Sequence, residues 1–338
     1  MAGGTERVLR RRIKSVQSTK KITKAMELIA ASRIVKAQQR VAAARPYSEQ
    51  VTEVIRSLAA GGADLSHPLL GGGDAEVGTV GIVVVSADRG LAGAYNANVI
   101  RAAERTLKAE QAKGRGYALV LVGKKAESYF RFRGYDIAAS FSGMSEQPTY
   151  EDARTVAAAV TERFESGEVG LVHLAYTQFL SAGTQRAVVR QFMPLDTEAL
   201  TAGRSTDEAA VGGAEGPPPL YEFEPEPAEI LAGLLPRYVE ARLFAAMLDS
   251  AASEHAARQR AMKSATDNAE ELITKLSRIM NRARQESITT EIMEIAGGAE
   301  ALRQAKAGGV DYFRDELTSR DVLPDQLDPA ATKKRKAG

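Results

Sequence analysis

The stretch Ala261–Gln285, AMKSATDNAEELITKLSRIMNRARQ, decides the architecture. Met262, Ala265, Ala269, Leu272, Leu276, Ile279 and Ala283 step through it by 3, 4, 3, 4, 3 and 4. Apolar residues recurring every 3.5 positions on average form the seam of a left-handed coiled coil. The seam belongs to a longer segment that begins at Ala228. After Pro236, with its kink in the first turns, no Pro or Gly appears until Gly297-Gly298. At 1.5 Å per residue this helix spans roughly 85–90 Å. The glycine pair reads as its end, since glycine commonly terminates helices.

A seam needs a partner, and the other end of the chain supplies one. From Glu6 to Leu58 the sequence is dominated by Ala, Arg, Lys, Gln and Glu, all good helix formers. Pro46 is the only proline there and predicts a kink or break near Arg45. The segment reaches roughly 75 Å as a helix. Its apolar stripe is thin. Leu9, Ile13 and Val16 open it, Gln17-Ser18-Thr19-Lys20-Lys21 interrupt it, and Ile22, Met26 and Ile29 resume it with a shift. A helix this polar does not fit inside a globular core. The economical arrangement pairs the two helices antiparallel, each covering the other's seam.

Between them the pattern changes. Thr79–Ser86 (TVGIVVVS), Tyr117–Val122 (YALVLV) and Val169–Ala175 read as strands buried on both faces, with a short strand at Tyr135–Ser140. Helices are predicted over Ala94–Lys113, Lys124–Arg133 and Thr149–Ser166. Strand–helix alternation implies right-handed βαβ units and a mainly parallel sheet. After the turn Ser181-Ala182-Gly183, Thr184–Phe192 reads as an antiparallel edge strand. The fold class is therefore α/β: a long antiparallel coiled coil of N- and C-terminal helices plus a central Rossmann-like βαβ domain. The boundaries expected are an N-terminal coiled-coil helix over 1–60, the α/β domain over 75–195 and an acidic, Pro-rich linker and foot segment over 196–227. A C-terminal coiled-coil helix over 228–298 and a polar, basic-ended tail over 299–338 complete the chain.

Composition removes several kinds of chemistry. There is no Cys among the 338 residues, which excludes disulfides, thiolate metal sites and thiol nucleophiles. His67, His173 and His255 lie far apart and form no paired metal-ligand motif. His173, inside an apolar strand, reads as a satisfied core histidine. Asp88-Arg89-Gly90 reads as a tight turn. No apolar run approaches the ~20 residues that cross a bilayer, and no apolar segment follows the basic N-terminus as in a secretory signal. Net charge is only +2, but it is unevenly placed. Arg and Lys crowd the segment from Arg7 to Arg45, opposed by Glu6 and Glu27 alone. Between Asp196 and Glu229 the acidic residues face only Arg204. Such asymmetry predicts partner surfaces of opposite charge.

Three separated stretches carry a resemblance to a known family. Arg12–Glu27 (RIKSVQSTKKITKAME), with Ala30-Ala31-Ser32-Arg33 after it, resembles the opening helix of F-type ATP synthase gamma subunits. Ser86–Gly93 (SADRGLAG) is similar to that family's loop after the first strand. Ala261–Ala269, Asn281–Gln285 and Ile288-Thr289-Thr290-Glu291-Ile292 through Gly297-Gly298-Ala299 resemble its C-terminal helix. The likeness covers about Arg7 to Leu302. Ala92 stands where many relatives carry Cys, and the tail after Leu302 is longer than the family's usual end.

The resemblance implies a bacterial central-stalk rotor that transmits torque between the c ring and three alpha and three beta subunits, coupling proton flow to ATP synthesis. It implies no catalytic residue, cofactor or metal in this chain. The implied partners are the alpha and beta subunits, the epsilon subunit and the c ring. The implied location is peripheral, on the cytoplasmic side of the cell membrane. By motif match, Gln285, Thr289 and Glu291 fall where the family hydrogen-bonds the beta subunit, and Arg258 falls at another subunit contact. Met26 falls opposite the beta subunit's acidic lever, beside Lys20, Lys21 and Lys24. Tyr221, Glu222 and Glu224 fall in the foot near the c ring. Two other functions compete. A nucleotide-binding enzyme would want a Gly-rich phosphate loop, and neither GxxxxGK[ST] nor a GxGxxG after a strand occurs. A nucleic-acid-binding helical protein would use the basic N-terminal helix, which lacks base-stacking aromatics.

Overall fold

The β-branched run Thr79–Val85 forms the centre of the sheet, and the rest of the α/β domain is arranged by its two faces. A computed structural model describes residues 2–60, 67, 69–70, 78–195 and 224–307. The elements are α1 (Ala2–Ala60), β1 (Thr79–Val85), α2 (Tyr95–Ala112), β2 (Gly116–Val122), α3 (Lys124–Phe132), β3 (Ala139–Phe141), α4 (Tyr150–Glu165), β4 (Leu171–Phe179), β5 (Gln185–Met193) and α5 (Pro227–Ala307). The five strands lie in the order β3-β2-β1-β4-β5. β1 pairs in parallel with β2 and β4, and β2 with β3. β5 closes the edge antiparallel to β4, as its alternating, half-exposed sequence predicts.

Side chains alternate between the faces of a strand, and the core divides accordingly. Val80, Ile82, Val84, Leu119 and Leu121 meet Val99, Ala103 and Leu107 of α2 and Ala126 and Phe130 of α3. Val83, Val85, Val120 and Val122 meet Val156 and Val160 of α4 on the other face. That second layer also takes Val51, Ile55 and Leu58 of α1 and Leu231, Leu235, Val239, Leu243 and Met247 of α5. The long helices are therefore part of the sheet's own core, not appendages to it. His173 on β4 is half-buried and its Nε2 has no partner, so it is not the satisfied core histidine expected. Burial depresses its pKa.

Residues 18–270 form one compact unit, and residues 1–17 with those from 271 onward form the other. In the first, α1 and α5 run antiparallel: Lys20 Nζ meets Glu270 at 3.0 Å, and Thr23 Oγ1 lies 2.8 Å from Thr266 Oγ1. The inward residues of α1 here are Lys20, Thr23, Glu27, Ala30, Ile34, Ala37, Val41, Ala44, Ser48, Val51, Ile55 and Leu58, spaced 3 and 4 in strict alternation. The polar stretch at 17–21 does not interrupt the seam; polar residues occupy it. Ile22 and Ile29, expected to resume the stripe, face outward at 61% and 54% exposure. In the second unit Leu9, Ile13 and Val16 are half-buried, as expected.

The α5 seam is displaced in the same way. Inward residues are Met262, Thr266 and Ala269 in one unit and Ile273, Leu276, Met280, Ala283 and Ser287 in the other. Thr266, Ile273 and Met280 take the places expected for Ala265, Leu272 and Ile279; Leu272 and Ile279 are 37% and 45% exposed. At Thr266 the seam is polar and satisfied. Thr266 Oγ1 bonds the Met262 carbonyl at 2.8 Å, so Thr23 can donate to Thr266, and both hydroxyls are satisfied inside the seam. Two further expectations are corrected. α1 continues unbroken through Pro46, which forgoes only the amide bond to the Ala42 carbonyl. α5 continues through Gly297-Gly298 to Ala307. Glycine costs about 1 kcal/mol in a helix interior, and Ala299, Glu300, Ala301 and Leu302 beyond it are strong helix formers. The acidic linker to 223 and the tail after 307 lie outside the described residues.

Replacing Thr23 or Thr266 singly by Val is expected to cost about 0.5–1.5 kcal/mol, because each change removes the buried bond between the helices while the remaining hydroxyl keeps the carbonyl of its own helix, Lys20 or Met262. The double replacement should cost less than the sum, with a coupling of about 0.5–1.5 kcal/mol in a double-mutant cycle read by denaturant melts.

Candidate functional site

In open α/β sheets ligands bind beyond the carboxyl ends of the strands, where strand order reverses. Here the reversal lies between β1 and β4, and α5 lies across the crevice, leaving a cavity of about 390 Å³ lined by Ala92, Tyr95, Thr177, Ala257 and Arg260 among others. Ser250 Oγ accepts from Thr177 N at 3.4 Å, and Ser253 Oγ donates to the Thr177 carbonyl at 3.2 Å, tying α5 to the end of β4. Arg258 donates to the Gly90 carbonyl at 3.3 Å and to Glu254 at 2.5 Å, tying α5 to the loop after β1. Ala87, Ala92 and Tyr95 pack there with Ala257. The small run Ser250-Ala251-Ala252-Ser253 is the feature that lets the helix approach so closely. Asp249, one residue earlier, accepts from the Phe179 amide, yet burial pushes its pKa up to about 6.

Arg258 was expected at a subunit contact. In this chain it is buried with the fully buried Glu254. Burial pushes Glu254 up while Arg258 beside it pulls the other way. Such a pair adds little net stability, but removing one half strands a buried charge at about 3–5 kcal/mol. Its role is to set how α5 sits in the crevice. Glu146 does the same for α1. Its carboxylate takes Arg33 of α1 and, at 3.5 Å, Arg89, while its carbonyl accepts from His255 Nε2 of α5 at 3.2 Å.

The neighbouring loops that could cradle a phosphate are filled from within. Asp88 accepts from the amides of Lys124 (3.2 Å), Gly143 (2.9 Å) and Ser145 (3.3 Å). A carboxylate thus sits where the N-terminus of α3 and the loop after β3 present their donors. Ser86 Oγ accepts from Ala126 N at 3.0 Å and so caps α3 from another strand. Gly123 makes this possible: its φ is 98°, and a Cβ there would meet the Ser86 carbonyl oxygen at 2.3 Å.

The remaining expected contact residues divide between the units. Lys20 is engaged with Glu270, and Lys24 bonds Glu27 at 3.1 Å. Lys21 is exposed, and Met26 is half-buried beside the outward Ile22 and Ile29. In the second unit Gln285, Thr289 and Glu291 are all exposed. Thr289 Oγ1 bonds the Gln285 carbonyl at 2.9 Å. Gln285 and Thr289 share one face, whereas Glu291 lies roughly 120–160° around the helix from them. Ile288, Ile292, Ile295 and Leu302 form an apolar stripe there that nothing among the described residues covers. The motifs of this segment point to the polar Gln285, Thr289 and Glu291 and do not mark the stripe. Glu224 lies in a bend just before α5, and Tyr221 and Glu222 lie outside the described residues.

Residues 5–302 match the ATP synthase family. The chain is 52% identical over 303 residues to the ATP synthase gamma chain of Parafrankia sp., covering 88% of this chain and 98% of that one. It is 51% identical over 303 residues to the ATP synthase gamma chain of Frankia casuarinae, with the same coverage. A chain from the Euglena gracilis mitochondrial ATP synthase shares the fold at a TM-score of 0.61 and 20% identity, covering 91% of this chain and 98% of that one.

Two outcomes are expected at the crevice. Asp88→Ala leaves three amides without their acceptor and should lower stability by about 2–4 kcal/mol in denaturant melts. Asp249→Asn should stabilise at pH 7.5. The folded-state pKa is raised, so the ionised carboxylate opposes folding increasingly as pH climbs from the unfolded value of 3.8 through about 6. The gain, on the order of 1–3 kcal/mol at pH 7.5, should shrink as pH falls toward 4 in thermal melts.

Proposed function

Because the chain belongs to the ATP synthase gamma-chain family, we propose that it is the central rotor shaft of an F-type ATP synthase and performs no chemistry itself. The observation that carries this is the double use of α1 and α5. Val51, Ile55 and Leu58 of α1 and Leu231–Met247 of α5 are built into the core of the α/β domain. The same helices continue as a thin-seamed antiparallel pair. Turning the domain must then turn the helices, because slippage would open the apolar core and strip Arg258 and Arg33 of their partners.

The shaft works through differential contact. A rotor that meets three alpha and three beta subunits biases each catalytic site only if it stabilises one conformation over another. Gln285, Thr289 and Glu291, spread around α5, and the uncovered Ile288–Leu302 stripe suit a surrounding sleeve. Lys21, Met26, Ile22 and Ile29 on α1 suit the beta subunit's lever. Glu224, with Tyr221 and Glu222, suits the foot that meets the c ring, and the epsilon subunit completes the stalk. The chain would lie on the cytoplasmic face of the cell membrane, held through the c ring. No helix among the described residues is long and apolar enough to cross a membrane.

The competing functions fit less well. Asp88 already fills the anion position at the sheet's carboxyl edge, which weighs against nucleotide binding there. Lys20 and Lys24 spend their charge within the chain, which weighs against a nucleic-acid surface on α1.

Gln285→Leu combined with Glu291→Leu should lower coupled ATP synthesis in membrane vesicles about 10-fold, a loss of roughly 1.4 kcal/mol in coupling. The melting temperature of the chain should not change, since both side chains are exposed. Unaltered synthesis by the double variant refutes the contact role.

A further inference from the structure

α5 closes the carboxyl end of the sheet only in part. The cavity of about 390 Å³ left there has the volume of a small-molecule site, about 300–1,000 Å³. Its walls come from the start of α2, from Thr177 of β4 and Ala187 of β5, and from Ala257 and Arg260 of α5, all within residues 18–270. No Asp or Glu lines it. Glu254, near Tyr95, is already paired with Arg258.

Three polar features of these walls are not used up inside the chain. The first is the start of α2. Ala94 stands at its N-cap and offers no side-chain acceptor, and Asn96 gives its Oδ1 to the Ala87 amide at 2.9 Å. Amides of a first helical turn need acceptors from outside the helix, and the helix dipole favours an anion there. At α3 Asp88 takes that place; at α2 no side chain does. The second is Arg260. Its acceptors are the Ala182 and Gly183 carbonyls and Gln185 Oε1, all neutral, so its charge has no carboxylate partner among the described residues. The third is the Thr177 hydroxyl. Thr177 is 4% exposed and its Oγ1 has no hydrogen-bond partner, although Ser250 and Ser253 take its amide and carbonyl. Its side chain lies on the sheet face of Ala175 and of its cross-strand neighbour Ala187, the face that α2 covers and on which the cavity lies.

We propose that this cavity binds a phosphate monoester of a small organic molecule, with the phosphate at the start of α2 and the organic body against Ala187 and Ala257. A tetrahedral phosphate has three terminal oxygens for three kinds of donor: backbone amide, guanidinium and hydroxyl. A planar carboxylate has two. Helix N-termini and Arg are general phosphate binders. Inorganic phosphate alone would leave most of the space empty, and the alanine walls suit carbon. The position, outside the carboxyl ends of β1 and β4, is where open α/β sheets place their ligands. A ligand bound there bridges α2, the sheet and α5. The proposal goes beyond the rotor reading and does not depend on it, because every wall belongs to one compact unit.

The test is isothermal titration of the purified full chain with glycerol 3-phosphate, at about 150 mM salt so that diffuse surface charge is screened. The expected result is saturable binding at one site with a Kd on the order of 1 mM or below. Inorganic phosphate, which lacks the body, and glycerate, which lacks the phosphate, should each bind at least about 10-fold more weakly. Arg260→Gln and Thr177→Val should each weaken glycerol 3-phosphate about 10-fold, whereas Arg154→Gln, on α4 at the other face of the sheet, should not. Absence of saturation, equal binding of either control anion, or an affinity unchanged in either site variant overturns the proposal. Thr177→Val should not lower the melting temperature of the ligand-free chain, because the hydroxyl it removes has no partner there. A drop of more than about 2 °C means that the hydroxyl serves the fold, and also overturns the proposal. The rotor reading survives any of these failures.

Discussion

α5 has to satisfy two incompatible surroundings along one helix, and the rest of the molecule follows from how it does so. From Leu231 to Met247 it presents large apolar side chains to the sheet. From Ser250 to Ala257 it turns small, so that its backbone can lie against the ends of β1 and β4. From Met262 onward only one residue in three or four is inward, and beyond Ser287 every described side chain is exposed. The width of the buried stripe thus falls from a core helix to a coil to a bare shaft. A helix that stayed apolar throughout would aggregate where it leaves the domain, and one that was polar throughout would not be held by it.

That graded burial explains why an α/β domain of ligand-binding architecture is a mounting here. The crevice beyond β1 and β4 is the fold's natural pocket, and α5 lies across it, fixed by the Glu254–Arg258 pair. Asp88 does the equivalent at the neighbouring loops, where its carboxylate takes amides that would otherwise receive an anion. Both substitutions turn a recognition surface into a joint. The joint is polar and directional, and the layer beneath it is apolar and broad, so orientation and strength come from different interactions.

Polar residues inside the helix seam serve a related purpose. Lys20, which reaches the exposed Glu270, and the Thr23–Thr266 pair sit where a dimeric coil would usually place aliphatic side chains. They weaken the pair relative to an apolar seam but match only one axial alignment. Where the seam alone holds the two helices together, a unique register matters more than maximal stability.

The sequence by itself determined the parallel sheet, its antiparallel edge and the two long helices. Each rests on periodicity, which a chain displays wherever one face is buried and the other wet. It also determined the family, through motifs spread from Arg12 to Ala299. Only the tertiary structure decided which residues form the seam. Thr23, Lys20 and Thr266 look like surface residues until their partners, more than 240 positions away, are brought opposite them. The same holds for Arg258, whose motif pointed outward to a subunit while its guanidinium turns inward to Glu254 and Gly90. A helix stays continuous through Pro46 or Gly297-Gly298 when its neighbours favour helix by more than one residue's penalty. Burial, pairing and continuity are sums over distant residues, and local pattern holds only one side of each sum.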